Sequence, residues 1–216
     1  LAEQQGWGVT STDKGGVFNQ KSLARFDVVV WNNVSGDVLT LSQRDAFKSY
    51  IESGGAFLGI HGSGGDFVYL WDWYRDELLG AQFIGHTMNP HYQDALVRPE
   101  QSKSGIANKH LSAWHLYEEW YSFSENPRDK GADVVATVDE QSYEPVMGGV
   151  SLRMGEDHPI AWTRCVNNGR SFYTATGHLP ESYQNGDNMA LLREALVWTV
   201  GEGATNCVDG QYEKNH

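Results

Sequence analysis

Histidines and carboxylates recur where apolar runs give way to glycine. His61 ends Ala56-Phe57-Leu58-Gly59-Ile60-His61 and precedes Gly62-Ser63-Gly64-Gly65-Asp66. His86 ends Phe83-Ile84-Gly85-His86, and His91 follows Pro90. His178 ends Thr174-Ala175-Thr176-Gly177-His178. Acidic candidates are Asp66, Glu118, Glu119 and Asp157, the last beside His158. Imidazole with carboxylate suits two jobs. The pair can bind a divalent metal such as zinc through ring nitrogens and carboxylate oxygens, or it can exchange protons near neutral pH. No His-x-x-x-His pair marks a helix-borne metal site, so both readings need convergence in space. The expectation is that His61, His178, Glu118 and Glu119 carry catalysis and that His86 and His91 hold a metal. Against it stands the common fate of histidine, which is to pack or hydrogen-bond within a core. His110 and His115 read as loop or surface residues, and His216 is terminal.

Other chemistries fit less well. Ser63 is not at the apex of a Gly-x-Ser-x-Gly elbow, and Cys165 falls within a strand pattern, so a hydroxyl or thiol nucleophile is not expected. Gly62-Ser63-Gly64-Gly65 matches neither phosphate-binding glycine pattern. Aromatic residues cluster at Trp71, Trp73 and Tyr74 and again at Trp114, Tyr117, Trp120 and Tyr121. Their default role is core packing. The sharper expectation is that Trp71, Trp73, Trp120 and Tyr121, with Asp66, bind a sugar, whose C–H faces stack on aromatic rings.

The elements that must position these residues alternate between strand and helix patterns. Phe26-Asp27-Val28-Val29-Val30-Trp31-Asn32-Asn33 reads as a strand buried on both faces. Residues 41–52 read as an amphipathic helix stopped by Gly54-Gly55. Residues 56–61 read as the next strand, which completes a strand–helix–strand unit and predicts a parallel, doubly wound sheet. A short strand is expected at 8–11 and a helix at 70–79 ending on Gly80. Further strands are expected at 95–98, 116–123 and 133–138, and a loop over 141–157. A hairpin is expected around Asn167-Asn168-Gly169. A closing helix spans 187–200, capped by Asp187 or Asn188.

Composition narrows the partners. The chain has 216 residues and a net charge of −12, with 40% apolar residues. That length suits one domain with a real core. The negative charge argues against nucleic acid and anionic membranes, and no apolar run approaches a membrane span. Cys165 and Cys207 show no zinc spacing; they can pair with each other, or Cys207 can pair elsewhere. The compartment stays undecided on this ground. Leu1-Ala2-Glu3-Gln4-Gln5-Gly6 reads as the last turn of a helix with Gly6 as its cap.

The motifs together resemble the ThuA-like (trehalose-utilisation) family of the class I glutamine-amidotransferase-like superfamily. They are the strand at 26–33, Gly54-Gly55-Ala56-Phe57-Leu58-Gly59-Ile60-His61-Gly62, Trp71-Asp72-Trp73-Tyr74 and Leu79-Gly80-Ala81-Gln82-Phe83. Gly85-His86, Glu118-Glu119-Trp120-Tyr121, Asp157-His158-Pro159-Ile160-Ala161-Trp162 and the run from Gly169 to His178 continue the series in order. The resemblance implies a flavodoxin-like, mainly parallel sheet with helices on both faces, in one domain over 1–216. It also implies a first strand and helix start ahead of Leu1. It puts His61 where amidotransferases carry their cysteine, so glutamine hydrolysis is not expected. The family's association with carbohydrate utilisation implies a sugar or oxidised sugar as ligand, in a periplasmic or secreted setting. The leading expectation is an enzyme that cleaves glycosides or keto sugars by hydrolysis or elimination. The rival is a non-catalytic sugar-binding or interaction module on a decayed amidotransferase-like fold, and a homo-oligomer fits either. Converging histidines favour the enzyme, and dispersed ones favour the module.

Overall fold

The computed structural model describes residues 1–107 and 111–215, so His110 and His216 lie outside the described residues. The strands are β1 (Val28–Asn32), β2 (Ala56–Ile60), β3 (Phe83–His86), β4 (Gln93–Pro99), β5 (Trp114–Glu118), β6 (Tyr121–Phe123) and β7 (Asp133–Val138). They continue with β8 (Val146–Met147), β9 (Val150–Ser151), β10 (Pro159–Val166), β11 (Gly169–Thr174), β12 (Thr205–Val208) and β13 (Gln211–Lys214). The α-helices are α1 (Gln20–Leu23), α2 (Leu41–Glu52) and α3 (Gly186–Thr199).

Seven strands form the main sheet in the order β1-β2-β11-β10-β7-β4-β5. Only β1/β2 and β2/β11 pair in parallel; β11/β10, β10/β7, β7/β4 and β4/β5 are antiparallel. The expected mainly parallel, flavodoxin-like sheet is therefore corrected to a mixed α/β sheet that is mostly antiparallel. The reason lies in the connections. A parallel pair needs a long crossover, usually a helix. Helix α2 supplies one between β1 and β2, but no α-helix intervenes between β3 and β11 among the described residues. The tight turn at Asn167-Asn168-Gly169, with Asn167 at φ 53°, folds β10 straight back along β11.

Helices do cover both faces. Phe47 of α2 is fully buried and meets Trp31 and Phe57 at ring separations of 5.6 and 6.0 Å. Each such side chain contributes about 1.5–3 kcal/mol on burial. On the same face, Ser171 Oγ donates to the Leu78 carbonyl in a π-helical turn over Tyr74–Leu79. Arg170 precedes Ser171 and so points to the opposite face, where its Nε donates to the Thr199 carbonyl of α3. Helix α2 starts at a capping box, with Thr40 N donating to Gln43 Oε1 at 2.8 Å. Helix α3 starts one turn edge earlier than expected: Asn185, rather than Asp187 or Asn188, accepts from the amides of both.

Four local expectations change. Strand β1 is an edge strand, with Val30 46% exposed, and is not buried on both faces. Residues 8–11 join no sheet, because nothing among the described residues pairs with them. The expected strand over 116–123 is broken after Glu118 and resumes at Tyr121, where it leaves the main sheet to pair with β3. The Gly-rich stretch over 141–157 contains a small hairpin, β8/β9, turned by Gly148 and Gly149 at positive φ. Cys165 and Cys207 form a disulfide that ties β12 to β10. No described helix is long and apolar enough to cross a membrane.

Candidate functional site

The parallel strands β1, β2 and β11 end at one edge of the sheet, the edge where open α/β sheets bind ligands. Just beyond β2, the chain turns sharply into a short 3-10 turn over His61–Gly64. His61 takes φ 45°, a left-handed conformation that costs a non-glycine residue roughly 1–3 kcal/mol. The turn is possible because Gly64 and Gly65 leave room for two rings. A Cβ on Gly64 would stand 2.4 Å from the Tyr173 ring, and one on Gly65 would stand 2.7 Å from the Tyr121 hydroxyl. Tyr173 donates its hydroxyl to the His61 carbonyl at 2.9 Å. Asn33, just after β1, accepts from Gly62 N and donates to the Gly177 carbonyl, each at 3.1 Å, so it ties the turn to the loop after β11.

Four imidazoles converge on the Glu119 carboxylate, one from the turn after β2, one from the end of β3, one from the β3–β4 loop and one from the loop after β11. The break between β5 and β6 sends Glu119 into this space, with 5% of its side chain exposed. One oxygen, Oε2, lies 3.0 Å from His61 Nε2 and 3.7 Å from His178 Nδ1. The other, Oε1, is bonded to His91 Nε2 and lies 3.4 Å from His86 Nδ1. His178 Nδ1 and His61 Nε2 are themselves 3.0 Å apart. His61 Nδ1–H donates to the Ala175 carbonyl at 2.7 Å, and this fixes the ring's tautomer and orientation. His86 Nδ1 is directed to the Thr87 carbonyl at 3.0 Å. Tyr121 packs on His61 with ring centres 4.1 Å apart.

The charges follow from this packing. Burial would raise the Glu119 carboxyl, but hydrogen bonds from His61 and His91 and the nearby rings outweigh it and push the group down to about 2. Burial lowers His178, and the adjacent His61 adds to that, while Glu119 pulls the other way. Burial, then the Glu119 charge, holds the Tyr121 phenol far above its ordinary range.

The other expected site residues fall into different places. Glu118 is fully buried, but its carboxylate accepts from Gly177 N, His178 N, Ser182 Oγ and Glu119 N. Three of these bonds fall on Oε2, so the carboxylate braces the loop that carries His178. Trp120 is 1% exposed and donates Nε1 to the Gln93 carbonyl, so its faces are closed to a sugar. Trp71 and Asp66 line a separate aromatic recess with Tyr69 and Arg44. Trp73 lies under Lys48 beside another hollow. Among the described residues, no hydrogen bond or ring contact joins Trp71 or Trp73 to the histidines. His158 is buried between Glu140 and the Tyr121 carbonyl, Asp157 bonds Arg128, and exposed His115 pairs with Asp94. Tyr92, which the sequence reading passed over, stacks on His91 at 4.1 Å and hydrogen-bonds His178 Nε2 at 3.1 Å. Its only signal is its place directly after His91.

Sheet and cluster together define an α/β protein whose parallel strands present a His/Glu constellation at their carboxyl edge. The chain belongs to the ThuA family, described as trehalose utilisation, whose model matches residues 1–199. Similar solved structures are ThuA-like. One from Bacteroides uniformis is 24% identical with a TM-score of 0.79, covering 94% of this chain and 81% of its own. Another, from Parabacteroides merdae, is 15% identical with a TM-score of 0.63, covering 96% and 84%. A cytoplasmic protein of Salmonella typhimurium LT2 is 13% identical with a TM-score of 0.62, covering 92% and 83%. At these identities the likeness concerns the fold. No curated protein matches the chain.

Proposed function

We propose that the protein acts on a carbohydrate, cleaving a glycoside of an oxidised (keto) sugar by elimination at the Glu119 cluster. The observation that carries this reading is the pairing of Glu119 Oε1 with His91 Nε2. A buried carboxylate that holds one ring nitrogen as a donor leaves the other with its lone pair. His91 Nδ1 has no hydrogen-bond partner among the described residues, and the side chain is 37% exposed. It is therefore presented as a base. In the proposed step, His91 Nδ1 takes the proton from the carbon beside the sugar's carbonyl. The released electron pair forms the carbon–carbon double bond, and the glycosidic C–O bond breaks at the next carbon. The departing oxygen takes a proton from water and leaves as an alcohol, and His91 returns its proton to the solvent, so no net proton is gained or lost. Membership of a trehalose-utilisation family supports the substrate class, and Tyr92, stacked on His91 at 4.1 Å, is the aromatic ring nearest the base.

The test is a panel of glycosides and their keto derivatives, monitored for the released alcohol and for the unsaturated ketone. Replacing His91 by Gln or Glu119 by Gln is expected to slow turnover by about 10²–10⁴, the usual share of a general base. Turnover that is unchanged in both variants overturns the assignment. A chain that binds these sugars and releases nothing from any of them is a binding module instead.

A further inference from the structure

We infer that the other half of the same cluster is a mononuclear site for a first-row divalent cation, held by His61 Nε2, Glu119 Oε2 and His178 Nδ1. The inference rests on reading the Glu119 cluster as the working site, and it assigns the carboxylate's second oxygen a role distinct from that of Oε1.

Three atoms with lone pairs meet here. Their separations are 3.0 Å from His61 to Glu119, 3.0 Å from His61 to His178 and 3.7 Å from Glu119 to His178. His61 spends its Nδ1 proton on the Ala175 carbonyl, so Nε2 turns a lone pair toward the other two atoms. A proton added to Nε2 can be aimed well at Glu119 or at His178, but not at both. A proton on His178 Nδ1 leaves His61 Nε2 lone pair against carboxylate. A small cation satisfies all three at once. Metal–ligand bonds of about 2.0–2.2 Å at octahedral or tetrahedral angles place neighbouring ligand atoms roughly 2.8–3.6 Å apart, so the two 3.0 Å separations fit as they stand and the 3.7 Å one closes with a small shift. One ligand atom from each of the three residues lies within 4.8 Å of the other two.

Each ligand is also held from behind, as metal ligands generally are. His61 is fixed by Ala175, His178 Nε2 by the Tyr92 hydroxyl at 3.1 Å, and Glu119 by His91 through Oε1. Two imidazoles and one carboxylate leave coordination positions open, the arrangement of a catalytic rather than a structural ion. His178, with 36% of its side chain exposed, marks the open side. An ion there would polarise a sugar carbonyl while His91 takes the adjacent proton. His86 and His91 with Glu119 Oε1 form the competing group. That group is already satisfied by protons, because His86 Nδ1 serves Thr87 and His91 Nε2 serves Glu119.

The experiment uses the full chain without a histidine tag, stripped with a chelator and titrated with zinc, manganese and cobalt. Uptake is read by calorimetry and elemental analysis, and the cobalt form by its visible spectrum. The expected result is one ion per chain. His178→Ala should weaken binding by more than the roughly 10–100-fold that loss of an outer-shell partner costs, and Tyr92→Phe should stay within that range. His86→Ala should still take up one ion, with the cobalt spectrum unchanged. Circular dichroism confirms that each variant is folded. The absence of saturable uptake overturns the site, and so does uptake that survives His178→Ala but is lost in His86→Ala. The two proposals fail separately. Sugar cleavage by stripped protein removes the ion and leaves the elimination reading standing. Stoichiometric binding without cleavage of any sugar does the reverse.

Discussion

His61 and Glu119 lie 58 residues apart in the chain, yet His61 Nε2 is 3.0 Å from Glu119 Oε2, with both side chains almost wholly buried. The contact joins the end of a parallel strand to a break between two others. The chain divides at this point between Glu118, whose carboxylate is spent on hydrogen bonds within the fold, and Glu119, to which the proposed function assigns the reactive role, and the division can be measured.

Glu118 should behave as a stability residue. Its buried carboxylate accepts four hydrogen bonds, from Gly177 N, His178 N, Ser182 Oγ and Glu119 N. In Glu118→Gln, an amide NH₂ would face amide N–H donors. The expected cost is about 1.5–3 kcal/mol in urea unfolding, the range for hydrogen bonds to a charged group. His91→Gln, at a half-exposed side chain, should stay within about 0.5–1 kcal/mol while losing turnover. Equal unfolding midpoints for Glu118→Gln and the parent chain would refute the brace.

Gly64 tests the packing behind the His61 turn. A Cβ there would stand 2.4 Å from Tyr173, a ring with almost no exposure. Gly64→Ala should destabilise the fold by about 1–3 kcal/mol through overpacking. It should also disturb His61, because Tyr173 holds the His61 carbonyl. Gly8→Ala, where a Cβ meets nothing within 4 Å, is the control and should leave the melting temperature in place.

The Cys165–Cys207 bridge closes 42 residues of sequence and anchors the β12/β13 hairpin. Loop-closure entropy for that span predicts a loss of about 2–4 kcal/mol on reduction or in Cys207→Ser. The check is thermal melting with and without reductant. A midpoint that ignores reductant would argue against the bridge.

Acid should act through Glu140. Burial alone would raise this carboxyl, but His158 and the amides of Met154 and Gly155 outweigh it, so the group is held below its ordinary 4.5. A carboxyl depressed in the folded state adds stability above its unfolded value, and that stability is lost as pH falls through the folded value. Wild type should therefore lose this increment progressively below about pH 4.5. Glu140→Gln should cost about 1.5–3 kcal/mol at neutral pH, because it weakens the buried hydrogen bonds that the carboxylate makes with His158 and with the amides of Met154 and Gly155. The gap between the two proteins should narrow as pH falls below about 4.5. A gap that stays constant across the range would mean that Glu140 has no depressed value to lose.

The sequence by itself determined the elements whose signals are local. The α2 capping box and its Phe47 and Ile51 spacing, the strand at Ala56–Ile60 with glycines behind His61, and the Asn-Asn-Gly hairpin turn each need only neighbouring residues. The residue types of the site were legible for the same reason, since His61, His86, His91, His178 and Glu119 stand at breaks in apolar pattern. Tertiary structure decided what depends on distant partners. Strand direction beyond β11 followed from the missing helical crossovers, which left antiparallel pairing as the short route. The broken strand at Glu119 arose because β6 pairs with β3 and leaves the main sheet. That break separated two adjacent carboxylates into a brace and a centre, and it enclosed Trp120 while leaving Tyr121 against His61. Side-chain identity sets what a residue can do, but hydrogen-bond partners and burial set what it does, and those are fixed only when remote segments meet.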